Sequence, residues 1–372
     1  MLKMITLLLV VCTAMFVTSC SENKVEIEDR QALEDKIGQM LMVGFRGFEL
    51  QEDMTITQDL EERNLGGVIL FDHDVPRDIP ERNIRDLEQV RSLNSSLQER
   101  SDIPLLIAID QEGGNVARLK TEHGFHEMPS HQKLGDYNDP DSTRRVSAKA
   151  AEALADLGFN INYAPVADVN LNPDNPIIGA LERSFSADPD RVTEHAQAYI
   201  AGHREHGVFS TIKHFPGHGS SEDDTHLGMA DVTDTWREVE LEPYQNLIET
   251  GSVDLIMTAH IFNQHLDPDH PATLSESVIT GTLRDEMGYD GVIVSDDMQM
   301  DAIAEYYGLE EALELGINAG LDILVFANNS VYEEDITERA ISKIINLVEQ
   351  GRIEKAQIQE SYDRIQEFKD QL

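Results

Sequence analysis

From about residue 39 onward, apolar residues come in short runs separated by longer amphipathic stretches. Eight runs have strand character: Gln39–Phe45, Gly67–Phe71, Leu105–Asp110, Ile161–Val166, Ser210–Phe215, Asp254–His260, Gly291–Ser295 and Leu321–Phe326. Several are continuously apolar rather than alternating, as in strands buried on both faces. Between most of them lie segments of helical periodicity, clearest at Asn83–Arg100, Ser142–Leu157, Arg191–Glu205, Trp236–Thr250, Ser275–Met287 and Met300–Asn318. Alternating strands and helices argue for a parallel sheet, and eight units argue for a single-domain α/β fold, the (β/α)8 barrel. A doubly wound open sheet is the alternative, disfavoured because no Gly-x-Gly-x-x-Gly follows the first run. Ile336–Glu349 and Glu354–Lys369 read as closing helices, and no Pro/Gly/Ser-rich linker marks a second domain. The folded unit is expected over residues 29–372.

In a barrel of this type the chemistry sits at the C-terminal ends of the strands. Asp110 ends the third run, Lys213 and His214 the fifth, His260 the sixth, and Asp296 follows the seventh. Each alone could be a satisfied structural group. Their shared placement predicts one pocket.

Residues 213–226 read Lys-His-Phe-Pro-Gly-His-Gly-Ser-Ser-Glu-Asp-Asp-Thr-His. Pro216, Gly217 and Gly219 break regular structure, so Asp224-Thr225-His226 should ride a flexible loop. A carboxylate two residues from an imidazole can orient the ring and raise its basicity. By itself the triplet would read as a polar surface loop; the whole string points to a site. His214, His218 and His226 are spaced by four and eight residues across a Pro/Gly loop rather than on one helix face. No metal site is therefore expected. No phosphate-binding glycine loop is visible either, so no cofactor is expected.

The string resembles the signature of glycoside hydrolase family 3 in its β-N-acetylhexosaminidase branch, Lys-His-Phe-Pro-Gly-His-Gly followed by Asp-Ser/Thr-His. Further fragments resemble that branch in order and spacing: Ile37 to Phe45, Gly66 to Phe71, Ile109 to Gly114, Asn175 to Gly179, Arg183 to Phe185, Met257 to His260 and Ser295 to Asp297. The resemblance implies that Asp296 is a carboxylate nucleophile and Asp297 structural; a helix N-cap role also suits Asp297 better. It implies His226 as general acid/base with Asp224 as its partner, a departure from the usual pair of carboxylates. Imidazole, with an unperturbed pKa of about 6.5, suits proton transfer near neutrality. The loop glycines imply motion, so the pair could sit far from Asp296 in a resting structure.

By the same resemblance Lys213 and His214 hydrogen-bond substrate hydroxyls, Asp110 accepts from outer hydroxyls, and Arg118 and Arg183 contact substrate. The alternatives are salt bridges for the arginines and a barrel-floor network for Asp110. His218 is expected to brace the loop, with His260 and Asp168 behind the contact residues at best. Two positions depart from the family's pattern. Asn115 stands where the run Asp-Gln-Glu-Gly-Gly-Arg-Val has arginine, and Ser220 stands where an Asp often follows Gly-His-Gly.

The implied activity is exo-acting removal of terminal β-linked N-acetylglucosamine from cell-wall fragments or chitin oligosaccharides, with retention. One alternative is a β-glucosidase of the family, which commonly draws its acid/base from a second domain. Another is a phosphorylase using the same histidine pair. A non-catalytic sugar-binding lipoprotein would predict loss of Asp296 or His226, and both are present.

Hydrophobic residues make up 40% of the 372, enough for a sizeable core, and the formal net charge is −41. So acidic a surface repels nucleic acid and anionic lipid. With few lysines, it fits adaptation to high salt, where screening relieves self-repulsion. An acidic extracytoplasmic protein is the plainer alternative. Residues 1–19 read as a signal segment, with Lys3 as the positive region and Ile5–Val17 as an apolar stretch too short to span a bilayer comfortably. Val17-Thr18-Ser19-Cys20 resembles a lipoprotein cleavage box, which implies a lipidated Cys20, a short tether over 20–28 and an exported, membrane-anchored protein, periplasmic or at the cell surface. An ordinary signal peptide with an incidental Cys20 is the alternative. Cys12 leaves with the signal, so no disulfide is expected. The expected partner is a carbohydrate, and a monomer is the expected state.

Overall fold

The computed structural model describes residues 29–372. The signal segment, Cys20 and the tether lie outside the described residues. Eight parallel strands close into a barrel: β1 (Leu41–Gly44), β2 (Gly67–Ile69), β3 (Leu106–Ile109), β4 (Ile161–Asn162), β5 (Phe209–Phe215), β6 (Leu255–Thr258), β7 (Val292–Asp297) and β8 (Ile323–Phe326). Each strand pairs with its sequence neighbours, and β1 closes the ring on β8 through Leu41↔Leu324, Met42↔Val325 and Val43↔Phe326. The strands are almost wholly buried and carry Leu, Ile, Val and Met on both faces. The barrel interior is thereby a packed core, and any cavity must lie at an end.

Strand β4 is much shorter than its apolar run Ile161–Val166 suggests. Pro165 has no N–H to give the ladder. Beyond Asn162 the ladder is irregular: Thr211 N–H reaches the Ala164 carbonyl at 3.0 Å, and a bridge pairs Val166 with Lys213. Asparagine side chains flank the short strand. Asn160 accepts from Ile107 N–H at 2.7 Å, and Asn162 accepts from Gln111 N–H at 2.9 Å and donates to Gln111 C=O at 3.0 Å. These amides reinforce the β3–β4 backbone bonds from Asn160 N–H to the Ile107 carbonyl at 3.2 Å and from Tyr163 N–H to the Ile109 carbonyl at 2.8 Å.

Other boundaries also differ from the sequence pattern. Gln39 belongs to a helix over residues 29–39, not to β1. The segment Met300–Asn318 is two helices, Asp301–Ala304 and Leu309–Ala319, with Gly308 at the N-cap of the second. Trp236–Thr250 starts as a 3-10 turn, Glu238–Leu241, and becomes α-helical at Glu242, where Pro243 fits the first turn. Ser277–Glu286 has π-type hydrogen bonding. Among the described residues three longer helices were not legible in the pattern: residues 29–39, Thr55–Glu62 and His131–Tyr137.

A small hairpin, Gln111–Gly113 with Val116–Ala117, follows β3. Gly113 and Gly114 sit at φ +102° and +59°, and a Cβ on Gly113 would lie 2.4 Å from the Pro129 carbonyl. The Gly-Gly pair therefore folds Arg118 back over the barrel mouth.

Candidate active site

At the C-terminal ends of the strands lies a cavity of about 230 Å³. Asp110, Arg118, Arg183, Lys213, His214, His226 and Asp296 all line it. Asp224 stands behind His226 rather than in the wall. The barrel thus brings together the site residues expected from sequence; their roles are a separate question.

Asp296 and Asp297 end β7 and diverge. Asp297 faces the wall, its Oδ1 accepting the N–H groups of Gln299 at 3.1 Å and Ala327 at 3.0 Å. Burial pushes its carboxyl up to about 6. Asp296 accepts the Asp297 N–H at 2.8 Å. Burial opposes its ionisation, but His260, His214, His226 and that amide prevail and hold its carboxyl at about 2. Asp296 is therefore an anion throughout the neutral range. His260 lies beneath the pair. It donates from Nε2 to the Asp297 carbonyl at 2.9 Å, and its Nδ1 lies 2.8 Å from the Thr273 hydroxyl, which itself donates to the Ala259 carbonyl at 2.8 Å.

The Asp224–His226 pair is formed. Asp224 Oδ1 accepts both the His226 backbone N–H and ring Nδ1–H, each at 2.8 Å. Nε2 is left to exchange a proton with a bound substrate. His226 lines the same cavity as Asp296, so the distant resting position that the glycines suggested is not the one observed. The turn leading to this loop is pinned underneath. A Cβ on Gly219 would sit 1.8 Å from the Val169 carbonyl, so only glycine permits the approach. Glu240 accepts the Gly219 N–H at 2.8 Å and the Ser220 hydroxyl at 2.6 Å. Burial pushes the Glu240 carboxyl up to about 7. Ser220 is thus committed to the turn and does not face the cavity. Asn115, in the exposed hairpin turn, donates to the Leu181 carbonyl at 3.2 Å.

The opposite wall is a continuous charged network. Lys213 Nζ bridges Asp110 and Glu112 at 2.7 Å each, and Arg118 lies 3.6 Å from Asp110. Arg183 grips both oxygens of Glu112 at 2.8 Å, donates to the Ile177 carbonyl at 2.8 Å and reaches His214 Nε2 at 3.1 Å. An arginine only donates, so His214 Nε2 accepts, and its Nδ1–H donates to Asp168 at 2.7 Å. Both ring nitrogens of His214 are engaged. A substrate hydroxyl could reach its Nε2 only by replacing Arg183. Lys213 keeps one of its three donors for a ligand. Asp168 is wholly buried and also accepts the His218 N–H at 2.8 Å.

Glu112 was missed in the sequence, though it sits two residues past Asp110 in a quoted fragment. Burial alone would raise its carboxyl, but Arg183 and Lys213 hold it well below the usual range. Glu240 was missed too, because its stretch reads simply as amphipathic helix.

A closed barrel with an ionised carboxylate at one strand end, an aspartate-backed imidazole lining the same cavity and a charged polar wall defines a carbohydrate-active barrel. Residues 32–368 match the glycosyl hydrolase family 3 N-terminal domain, and the chain belongs to that family. It is 37% identical over 296 residues to a β-hexosaminidase of Tolumonas auensis, covering 78% of this chain and 83% of that one. It is 32% identical over 377 residues to β-hexosaminidase A of Pseudoalteromonas piscicida, covering 90% of this chain but only 60% of that longer protein. A solved family 3 β-N-acetylglucosaminidase from Paenibacillus superposes with a TM-score of 0.83 at 34% identity, covering 91% of this chain and 62% of the other.

Proposed function

We propose that the chain is an exo-acting, retaining β-N-acetylhexosaminidase that releases terminal β-linked N-acetylglucosamine. One observation carries the reading: Asp296, held ionised, and His226, backed by Asp224, line the same cavity. The sugar specificity is supported by the β-hexosaminidases and the β-N-acetylglucosaminidase that the chain is similar to.

In the first step the Asp296 carboxylate attacks the anomeric carbon and forms an ester. The glycosidic C–O bond breaks, and protonated His226 gives its Nε2 proton to the departing oxygen. Asp224 stabilises the imidazolium before that transfer. In the second step neutral His226 takes a proton from water, whose oxygen attacks the same carbon and releases Asp296. Two inversions give net retention. Asp110, Arg118 and Lys213 would grip the outer hydroxyls of the terminal sugar. The packed barrel floor beneath them supports exo action, because a chain could enter from one side only.

The test is turnover of an aryl N-acetyl-β-glucosaminide and an aryl β-glucoside, each with and without phosphate. Expected is phosphate-independent hydrolysis of the first with the β-anomer formed initially. Turnover of the glucoside alone would reject the reading, and a sugar 1-phosphate product would make the protein a phosphorylase. Replacing His226 with Ala should slow release of poor leaving groups by about 10²–10⁴-fold and that of activated aryl groups far less.

The Val17–Cys20 segment further supports an exported lipoprotein whose substrates are muropeptides or chitin oligosaccharides outside the cytoplasm. Fatty-acid labelling that is lost in Cys20→Ala is expected; labelling that persists would reject the anchor.

A further inference from the structure

The catalytic loop has one foothold. From Ser221 to Ala230 both ends are buried, and Thr225 alone between them is buried as well. Its neighbours are not: the His226 side chain is 53% exposed, whereas Thr225 is 1% exposed. Thr225 joins two elements. Its hydroxyl lies 3.4 Å from His218 Nε2, and its carbonyl accepts the Ala302 N–H at 3.3 Å. His218 is itself fixed, its N–H on Asp168 and its carbonyl accepting Asn175 Nδ2 at 2.7 Å. Ala302 belongs to the short helix directly after β7, the strand that carries Asp296.

We infer that Thr225 is a positioning residue that seats the Asp224–His226 pair over the cavity, by bonding the loop both to the turn after β5 and to the segment after β7. The inference rests on the reading of His226 as acid/base. Thr225 borders the cavity but is only 1% exposed, and it acts through its neighbour. Both bonds are near the long limit for hydrogen bonds, so each holds weakly and the loop can lift to release product. The hydroxyl half is the half that a substitution can remove. His218 Nδ1 already lacks a partner, so losing the hydroxyl leaves the buried ring without any side-chain contact of this kind.

The experiment compares Thr225→Val, which keeps shape but loses the hydroxyl, with Thr225→Ser, which keeps the hydroxyl. Two N-acetyl-β-glucosaminides are used, one with a sugar leaving group and one with 2,4-dinitrophenol. Thr225→Val should lower kcat/KM, which reports the step that expels the leaving group, by about 3- to 10-fold on the first, the worth of one hydrogen bond, and change it on the second by less than about twofold. Thr225→Ser should restore the wild-type ratio. In a His226→Ala background Thr225→Val should add nothing, because its effect runs through His226. Equal losses on both substrates, no rescue by Ser, or an additive loss in the His226→Ala background would overturn the inference. If Thr225→Val does not fold, Thr225→Ala carries the same expectations. Equal slowing of both substrates by His226→Ala alone would instead reject the acid/base reading, and the inference with it.

Discussion

Glu112 shows how a residue that need not meet substrate can govern two that line the cavity. It is 1% exposed and carries Lys213 and Arg183 on its two oxygens. Glu112→Gln keeps the volume but strands two buried cations. Breaking such a pair costs about 3–5 kcal/mol. Lys213 would then fall wholly to Asp110, withdrawing that carboxylate from the cavity, and Arg183 would swing free of His214. A raised KM for N-acetylglucosaminide is therefore expected, about tenfold or more if one charged hydrogen bond to substrate is lost. Asp296 and His226 are untouched, so kcat per folded molecule should change much less. Urea unfolding and steady-state kinetics on the folded fraction would check both parts. An unchanged KM would mean that Lys213 and Arg183 do not bind substrate. The resemblance pointed to the contact residues because they carry the motif. It was silent on Glu112, whose role depends on a strand end and a loop meeting across the barrel.

Among elements, the turn after β5 was visible in sequence through Pro216, Gly217 and Gly219, but what pins it was not. The eight strands were legible because buried parallel strands leave continuous apolar runs, and the pocket was legible because polar residues recur at their ends. The limits of β4 and of the Met300–Asn318 helix were not, since Pro165 and Gly308 act by removing a donor or a side chain within otherwise apolar stretches. Nor was Glu240, whose partners Gly219 and Ser220 lie about twenty residues upstream. Its carboxyl rises from 4.5 to about 7 on folding because it is buried. A carboxyl raised in this way favours the protonated form in the native state. The stability this gives is full below the unfolded value and is lost as pH rises through about 7. The loss should total about 3 kcal/mol, at about 1.4 kcal/mol per unit. Glu240→Gln cannot ionise, so its stability relative to wild type should improve by about that amount between pH 4 and pH 8. Urea midpoints at the two pH values would test this; parallel changes in both proteins would show that Glu240 is not the titrating group. Gly219→Ala is expected to be worse than either, because the Val169 carbonyl occupies the Cβ position. A loss above about 2 kcal/mol, with activity falling alongside, would be read by the same urea series.

For the whole molecule, 70 acidic residues against 29 basic ones make self-repulsion a global term. Added salt shortens the Debye length from about 30 Å at 0.01 M to about 3 Å at 1 M, which removes repulsion between distant surface carboxylates. It also weakens exposed pairs such as Arg30–Glu349 and Arg144–Glu205. Each of those contributes little, about 0–1 kcal/mol. The repulsive term involves many more charges, so the net effect of salt on stability is expected to be positive. The buried network of Glu112, Arg183 and Lys213 is screened far less, so substrate affinity should hardly follow the change. The prediction is a melting temperature that climbs from dilute buffer to about 2 M KCl while KM for an uncharged N-acetylglucosaminide stays within about twofold. Chloride is the right anion, because sulfate would stabilise any fold by exclusion from its surface. A melting temperature that stays flat or falls over the KCl series would show that self-repulsion costs this fold little, and that the charge is no adaptation to salt.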